Sequence, residues 1–166
     1  AREKFEKSLR IKQRIRDRAG EAATWHNLAT IDVYQGEYEA AREKFGKALG
    51  ICQRIGDRAG EASTWHNLAS IDLERGEYEA AREKFERALG ICQRIGDRAG
   101  EAATWHALAT IDVYQGEYDA AREKFEKSLR IRQRIGNRAG EAATWHNLAT
   151  IDLRRGEYDA AREKFE

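Results

Sequence analysis

The sequence predicts an all-α fold built as an array of antiparallel helix hairpins, and three observations carry that expectation. A pattern returns every 40 residues, with Trp25, Trp65, Trp105 and Trp145 in one phase and Phe5, Phe45, Phe85, Phe125 and Phe165 in another. Within each interval apolar residues recur at three- and four-residue spacing, which is the period of a helix. Proline is absent and no alternating strand pattern competes. Self-similarity at a fixed period means that each unit buries its apolar face against its neighbours. The chain therefore reads as one array over residues 1–166: an isolated second helix (1–16), full repeats at 17–56, 57–96 and 97–136, and a last repeat (137–166) with a shortened second helix.

Each element has a local reason. In the first helix of a repeat, Asp17 is placed to cap the N-terminus, and Trp25, Leu28, Ala29 and Asp32 recur with helical spacing. Gly36 then suits the left-handed position just past the helix end. In the second helix, Tyr38, Ala41, Phe45, Ala48, Leu49, Cys52 and Ile55 form an apolar stripe, while Glu43 and Lys47 make an i,i+4 pair on the solvated side. Gly56 closes it. The connectors GDRAG and Gln-Gly-Glu are short, so consecutive helices must turn back on one another. Weak points are also visible: Gly46 and Gly50 lie inside one second helix, and Arg16 stands where the other repeats have a terminal glycine.

Composition excludes several function classes. With 30 Lys+Arg against 29 Asp+Glu, interspersed along the chain, no basic face indicates nucleic acid and no acidic tail indicates a basic partner. No apolar run is long enough for a membrane span. There is no glycine-rich phosphate loop, nucleophile elbow or HExxH, and no serine or cysteine stands in a recognisable arrangement with a histidine. The expectation is therefore no enzyme, no cofactor and no metal centre. Cys52 and Cys92 share one phase with Lys12 and Arg132, so the position is expected to be partly exposed. Equivalent atoms of neighbouring repeats should lie about 10 Å apart, too far for a disulfide, which suggests a reducing, cytoplasmic setting.

Trp25-x2-Leu28-Ala29, then Gly36-Glu37-Tyr38, Ala41-x3-Phe45 and Ala48-Leu49, resemble the tetratricopeptide repeat, and the match recurs along essentially the whole chain. The period exceeds the usual 34 residues, and extra helix replaces the terminal proline. This longer form, with its GDRAGE connector, is similar to the repeats of Pins-type cell-polarity adaptors and of bacterial arrays joined to signalling ATPases. The resemblance implies a right-handed superhelical solenoid whose concave groove, lined mainly by the first helices, holds a peptide or partner helix. It places the tryptophans in the scaffold and His26, one residue on and about 100° around the helix, in the groove.

On that footing the groove candidates are His26, Asn27, Thr30 and Tyr34 in one repeat and His66, Asn67, Ser70 and Glu74 in the next. His106, Thr110 and Tyr114 follow, then His146, Asn147, Thr150 and Arg154. Three readings of the histidine ladder stay open: a structural polar lining, direct ligand contact with charge gained near pH 6.5, and metal binding, which the absence of an i,i+4 partner argues against. Asn27, Asn67 and Asn147 occupy the position where groove asparagines of the family grip a ligand, and Ala107 would remove one such contact. The triplets Val33-Tyr34-Gln35, Leu73-Glu74-Arg75, Val113-Tyr114-Gln115 and Leu153-Arg154-Arg155 carry most of what distinguishes one first helix from another.

A further departure from the family is Asp32, with Asp72, Asp112 and Asp152, in place of a tyrosine. A core-facing carboxylate is costly unless paired, so an Asp–Arg pair between the two helices is expected, with Arg42, Arg82, Arg122 and Arg162 as partners. The sequence thus points to an interaction scaffold with a protein or peptide ligand. The alternative is a structural element that self-associates end to end through uncapped terminal repeats, or an engineered or recently duplicated array with no single cognate ligand.

Overall fold

A computed structural model describes residues 1–157. Expectations placed on Arg162, Phe165 and the shortened last helix lie outside the described residues. Among the described residues there are eight helices and no strand: α1 (Arg2–Arg14), α2 (Arg18–Tyr34), α3 (Tyr38–Ile55), α4 (Arg58–Glu74), α5 (Tyr78–Ile95), α6 (Arg98–Gln115), α7 (Tyr118–Arg134) and α8 (Arg138–Arg155). The fold is an all-α helical-repeat solenoid in which α2, α4, α6 and α8 are first helices and α1, α3, α5 and α7 are second helices. Contacts divide it into two compact units, Ala1–Ile91 and Cys92–Glu166, with the boundary inside α5.

The connector explains itself residue by residue. Gly56 takes φ 73°, a left-handed conformation that ends α3 without a Cβ clash. Asp57 then caps α4, its side chain accepting from the Gly60 N–H at 2.9 Å, a contact worth about 1 kcal/mol. Arg58 pairs with Glu61 at 2.7 Å, and Gln53 of the preceding helix donates to the same carboxylate at 3.2 Å. Gly60 is required by close approach: a Cβ there would lie 2.8 Å from Cys52 Sγ and 2.4 Å from Asp57 Oδ2. At the first connector Arg16 adopts φ 58°, the one non-glycine residue in that region among those described. This costs about 1–2 kcal/mol that glycine would avoid.

Phenylalanine, rather than tryptophan, makes the innermost core. In the first unit Phe45 packs with Ala29, Ala41, Leu68 and Ile71; in the second Phe125 packs with Ala109, Ala121, Leu129, Leu148 and Ile151. Trp25, Trp65 and Trp105 are half-buried at the margin, each under a cation: Lys47 Nζ at 4.7 Å, Arg87 Cζ at 5.0 Å and Lys127 Nζ at 4.5 Å from the ring centroid. The apolar stripe of α3 ends on Ile51 and Cys52; Ile55 is 41% exposed and does not extend it. The solvated side carries Lys47–Glu43 at 2.6 Å.

The buried aspartates do pair with arginine, but with the arginine of the preceding repeat. Asp32 accepts from Arg2 at 2.8 Å and from Lys44, while Arg42 reaches Asp72 at 2.5 Å and Glu77 at 2.5 Å. Lys84 completes Asp72. In the second unit Arg122 reaches Asp152 at 2.6 Å and Lys124 reaches Asp112 at 2.5 Å. The expected partner within one hairpin is thus replaced by two cations, an arginine 30 residues back and a lysine 12 residues on. The second helix points its arginine forward, toward the first helix of the next repeat.

Three substitutions test this packing. Asp72→Ala strands two half-buried cations and should lower stability by about 3 kcal/mol, read as a fall in melting temperature; no change would reject the pairing as structural. Gly60→Ala should cost about 1–3 kcal/mol in urea unfolding through overpacking. Gly46→Ala, whose new methyl meets nothing within 4 Å, should add about 1 kcal/mol.

Candidate functional site

The positions singled out by sequence lie on α2, α4, α6 and α8. His26, His66 and His106 each rest edge-on against the core phenylalanine of their own hairpin: His26 on Phe45 at 5.1 Å, His66 on Phe85 at 5.0 Å and His106 on Phe125 at 4.9 Å. Two of them are tied to the following repeat. Asn67 Nδ2 lies 3.1 Å from His26 Nε2, and Asn147 Nδ2 lies 3.0 Å from His106 Nε2. Counted from His66, the same interval falls on Ala107, which carries no amide. Asn27 is exposed and His146 is exposed.

This geometry governs protonation. Burial lowers the pKa of His26 and His66, and burial together with the Arg132 guanidinium pushes His106 down to about 4. With the Asn147 amide donating to Nε2, the proton of His106 resides on Nδ1, a buried atom with no hydrogen-bond partner. A groove that becomes cationic near pH 6.5 does not follow from these positions, because burial disfavours the charged form at each of them.

The hydroxyls are partly spoken for. Thr30, Ser70 and Thr110 each donate to the carbonyl of the histidine four residues earlier at 3.0 Å, and Thr150 does so at 2.9 Å. Their oxygens keep lone pairs as acceptors. Within the variable triplets the third position is structural. Gln35 accepts from Arg2, Arg75 pairs with Glu39 and with Glu77 at 2.9 Å, and Arg155 pairs with Asp119 and with Glu157 at 3.0 Å. The second position faces solvent: Tyr34 is 86% exposed, Tyr114 is 59% exposed, and Glu74 and Arg154 are exposed.

In the first unit Thr30, Tyr34, Asn67, Ser70 and Glu74 converge with Val33, Tyr38, Phe45 and Ile71 on one cleft of about 310 Å³ between α2 and α4. His26 and Asn27 fall instead on a second depression of about 230 Å³, with Cys52, Asp57, Gly60, Ser63 and Thr64. The sequence did not single out Cys52 for such a place. The thiol is 3% exposed, as is that of Cys92, so partial exposure is overturned; burial and Asp57 push it up to about 11. Charge is accepted at the equivalent positions because Lys12 Nζ donates to Thr24 Oγ1 at 3.0 Å and Arg132 Nη1 to Thr144 Oγ1 at 2.8 Å. Both cysteines are free thiols. Also unanticipated is a depression of about 360 Å³ in the second unit, where Trp105 meets Arg98, Lys127, Arg130 and Arg134. Among the described residues no group of three His, Cys, Asp or Glu side chains converges as metal ligands, and no helix is long and apolar enough to cross a membrane.

Because the unfolded imidazole titrates near 6.5 and the folded one near 4, stability attributable to His106 is present above about pH 6.5 and is lost as pH falls through that window. Thermal unfolding between about pH 7 and about pH 5 should show a steeper loss for the native chain than for His106→Gln; parallel slopes would reject the depressed value.

A model of the Tetratricopeptide repeat family matches residues 1–54, 21–94, 60–134 and 100–166. No curated protein sequence matches the chain. Among solved structures it is similar to BtubC (BKLC) from P. vanneervenii, with a TM-score of 0.86 and 24% identity over 96% of this chain and 67% of that one. It is also similar to the putative kinesin light chain repeats of Podosopora anserina, with a TM-score of 0.75 and 21% identity over 99% of this chain and 81% of that one. A Rap protein complexed with Competence and Sporulation Factor gives a TM-score of 0.80 and 17% identity over 89% of this chain and 41% of that one. These likenesses share the fold. With the family pattern matched from residue 1 to residue 166, the chain belongs to the tetratricopeptide repeat family.

Proposed function

We propose that the chain is a non-enzymatic interaction scaffold that takes an extended peptide or a partner helix along its first helices. Tetratricopeptide repeats mediate protein–protein interaction, and a Rap protein of this fold is complexed with Competence and Sporulation Factor, which supports a partner-binding role. The observation that carries the reading is the cleft between α2 and α4. Its walls are apolar, through Val33, Tyr38, Phe45 and Ile71, and its rim offers Asn67, Ser70 and Glu74. An amphipathic depression of that kind suits a side chain anchored beside a hydrogen-bonded backbone.

Tyr34 is the anchor. At 86% exposed it contributes little to folding, yet it presents a large rigid surface, the kind that dominates binding energy at interfaces. Glu74 stands on the same cleft and gives it one negative charge. The thiols, raised to about 11, are poor nucleophiles, which supports a binding role over catalysis.

A peptide-display selection on the whole chain should enrich segments whose affinity falls about tenfold or more in Tyr34→Ala and changes with charge in Glu74→Arg. Affinity at about pH 6 and about pH 8 should be alike, since no histidine lines the cleft. No enrichment, or binders indifferent to both substitutions, would reject the cleft as the ligand site.

A further inference from the structure

Positions 12, 52, 92 and 132 are equivalent in the repeat yet hold Lys, Cys, Cys and Arg. Arg132 shows what a long side chain does there. Its Nη1 donates to the Gly140 carbonyl and to Thr144 Oγ1, the latter at 2.8 Å. Lys12 makes one such bond, from Nζ to Thr24 Oγ1. The three side chains run along the same path over the connector glycine. A Cβ on Gly20 would meet Lys12 Cδ at 2.9 Å, one on Gly140 would meet Arg132 Cδ at 2.9 Å, and one on Gly60 meets Cys52 Sγ at 2.8 Å. Cys52 Sγ thus approaches the connector glycine as closely as Cδ of the longer side chains does, and no charged head group follows it.

What lies beyond is the depression of about 230 Å³ that Cys52, Gly60, Thr64 and Asp57 line with His26 and Ser63. The acceptors that Arg132 satisfies are present here too. Thr64 donates to the Gly60 carbonyl at 2.7 Å, as Thr144 donates to that of Gly140 at 2.8 Å while both oxygens still accept from Arg132. One difference adds charge: Asp57 stands where the Arg132 repeat has Asn137, and its Oδ2 accepts from the Cys52 thiol at 3.8 Å. The Cys52 repeat therefore keeps the acceptors of the cation site, gains a carboxylate and lacks the cation.

We infer that the depression beyond Cys52 is a subsite for the guanidinium group of an arginine side chain carried by the partner segment. The source of the arginine rests on the scaffold reading above; the chemistry rests on the chain's own Arg132 arrangement. Guanidinium is favoured over ammonium because Arg132 Nη1 reaches both the Gly140 carbonyl and Thr144 Oγ1, whereas Lys12 Nζ reaches Thr24 Oγ1 alone.

The probe is acetyl-Gly-Arg-Gly-amide titrated into the isotope-labelled whole chain, with the neutral citrulline peptide alongside. Saturable amide shifts at Gly60, Ser63 and Thr64, about tenfold weaker for citrulline, are expected. They should vanish in Cys52→Arg/Asp57→Asn, which rebuilds the occupied arrangement, and weaken in Thr64→Val, which removes one acceptor but keeps the shape. Equal shifts from the citrulline peptide, no saturable shift, or shifts that persist in the folded double variant would overturn the subsite. Display-selected ligands that bind through Tyr34 and ignore the double variant would also overturn it while leaving the cleft reading intact.

Discussion

A buried carboxylate near the end of each first helix is the constraint on which the array depends. Asp32 and Asp72 are at most 1% exposed, and an ionised group in that setting is tolerable only when compensated. Compensation comes from two directions, a lysine of the same hairpin and an arginine of the preceding second helix. Because the arginine belongs to another repeat, a single hairpin cannot complete the site. Stability is thereby made a property of neighbours, as expected for a stacked array. The pair also selects register, since alanine and leucine faces slide at small cost whereas an ion pair is satisfied at one offset.

The connector is a second shared device. Its glycine, aspartate and Arg–Glu pair bring the start of each first helix against the end of the preceding second helix at contact distance. One variable position there is filled by Lys12, Cys52 or Arg132, which stand beside Thr24, Thr64 and Thr144 respectively. Variation there changes how much of a polar crevice is filled, not whether the helices pack.

The exposed face follows the opposite rule. His26 and His106 are held by a phenylalanine on one side and an asparagine on the other, and the hydroxyls are turned back to their own helices. Most of the recurrent polar residues therefore maintain the stacking. The residues that differ between repeats and reach solvent are Tyr34 and Glu74 in the first unit and Tyr114 and Arg154 in the second.

The sequence by itself determined the period, the alternation of helices, their caps and the family, because each depends on contacts within a few residues or on a pattern repeated whole. Asp17 before the first helix and Gly56 after the second were legible for that reason. Only the tertiary structure decided which arginine meets which aspartate, that the Cys52 thiol is enclosed, and that Asn67 reaches back to His26. Those partners lie 30 or 41 residues apart, or across a connector, and are set by the offset at which one hairpin stacks on the next. Periodicity states that every repeat is placed alike, but the distance and rotation between repeats are properties of packed surfaces.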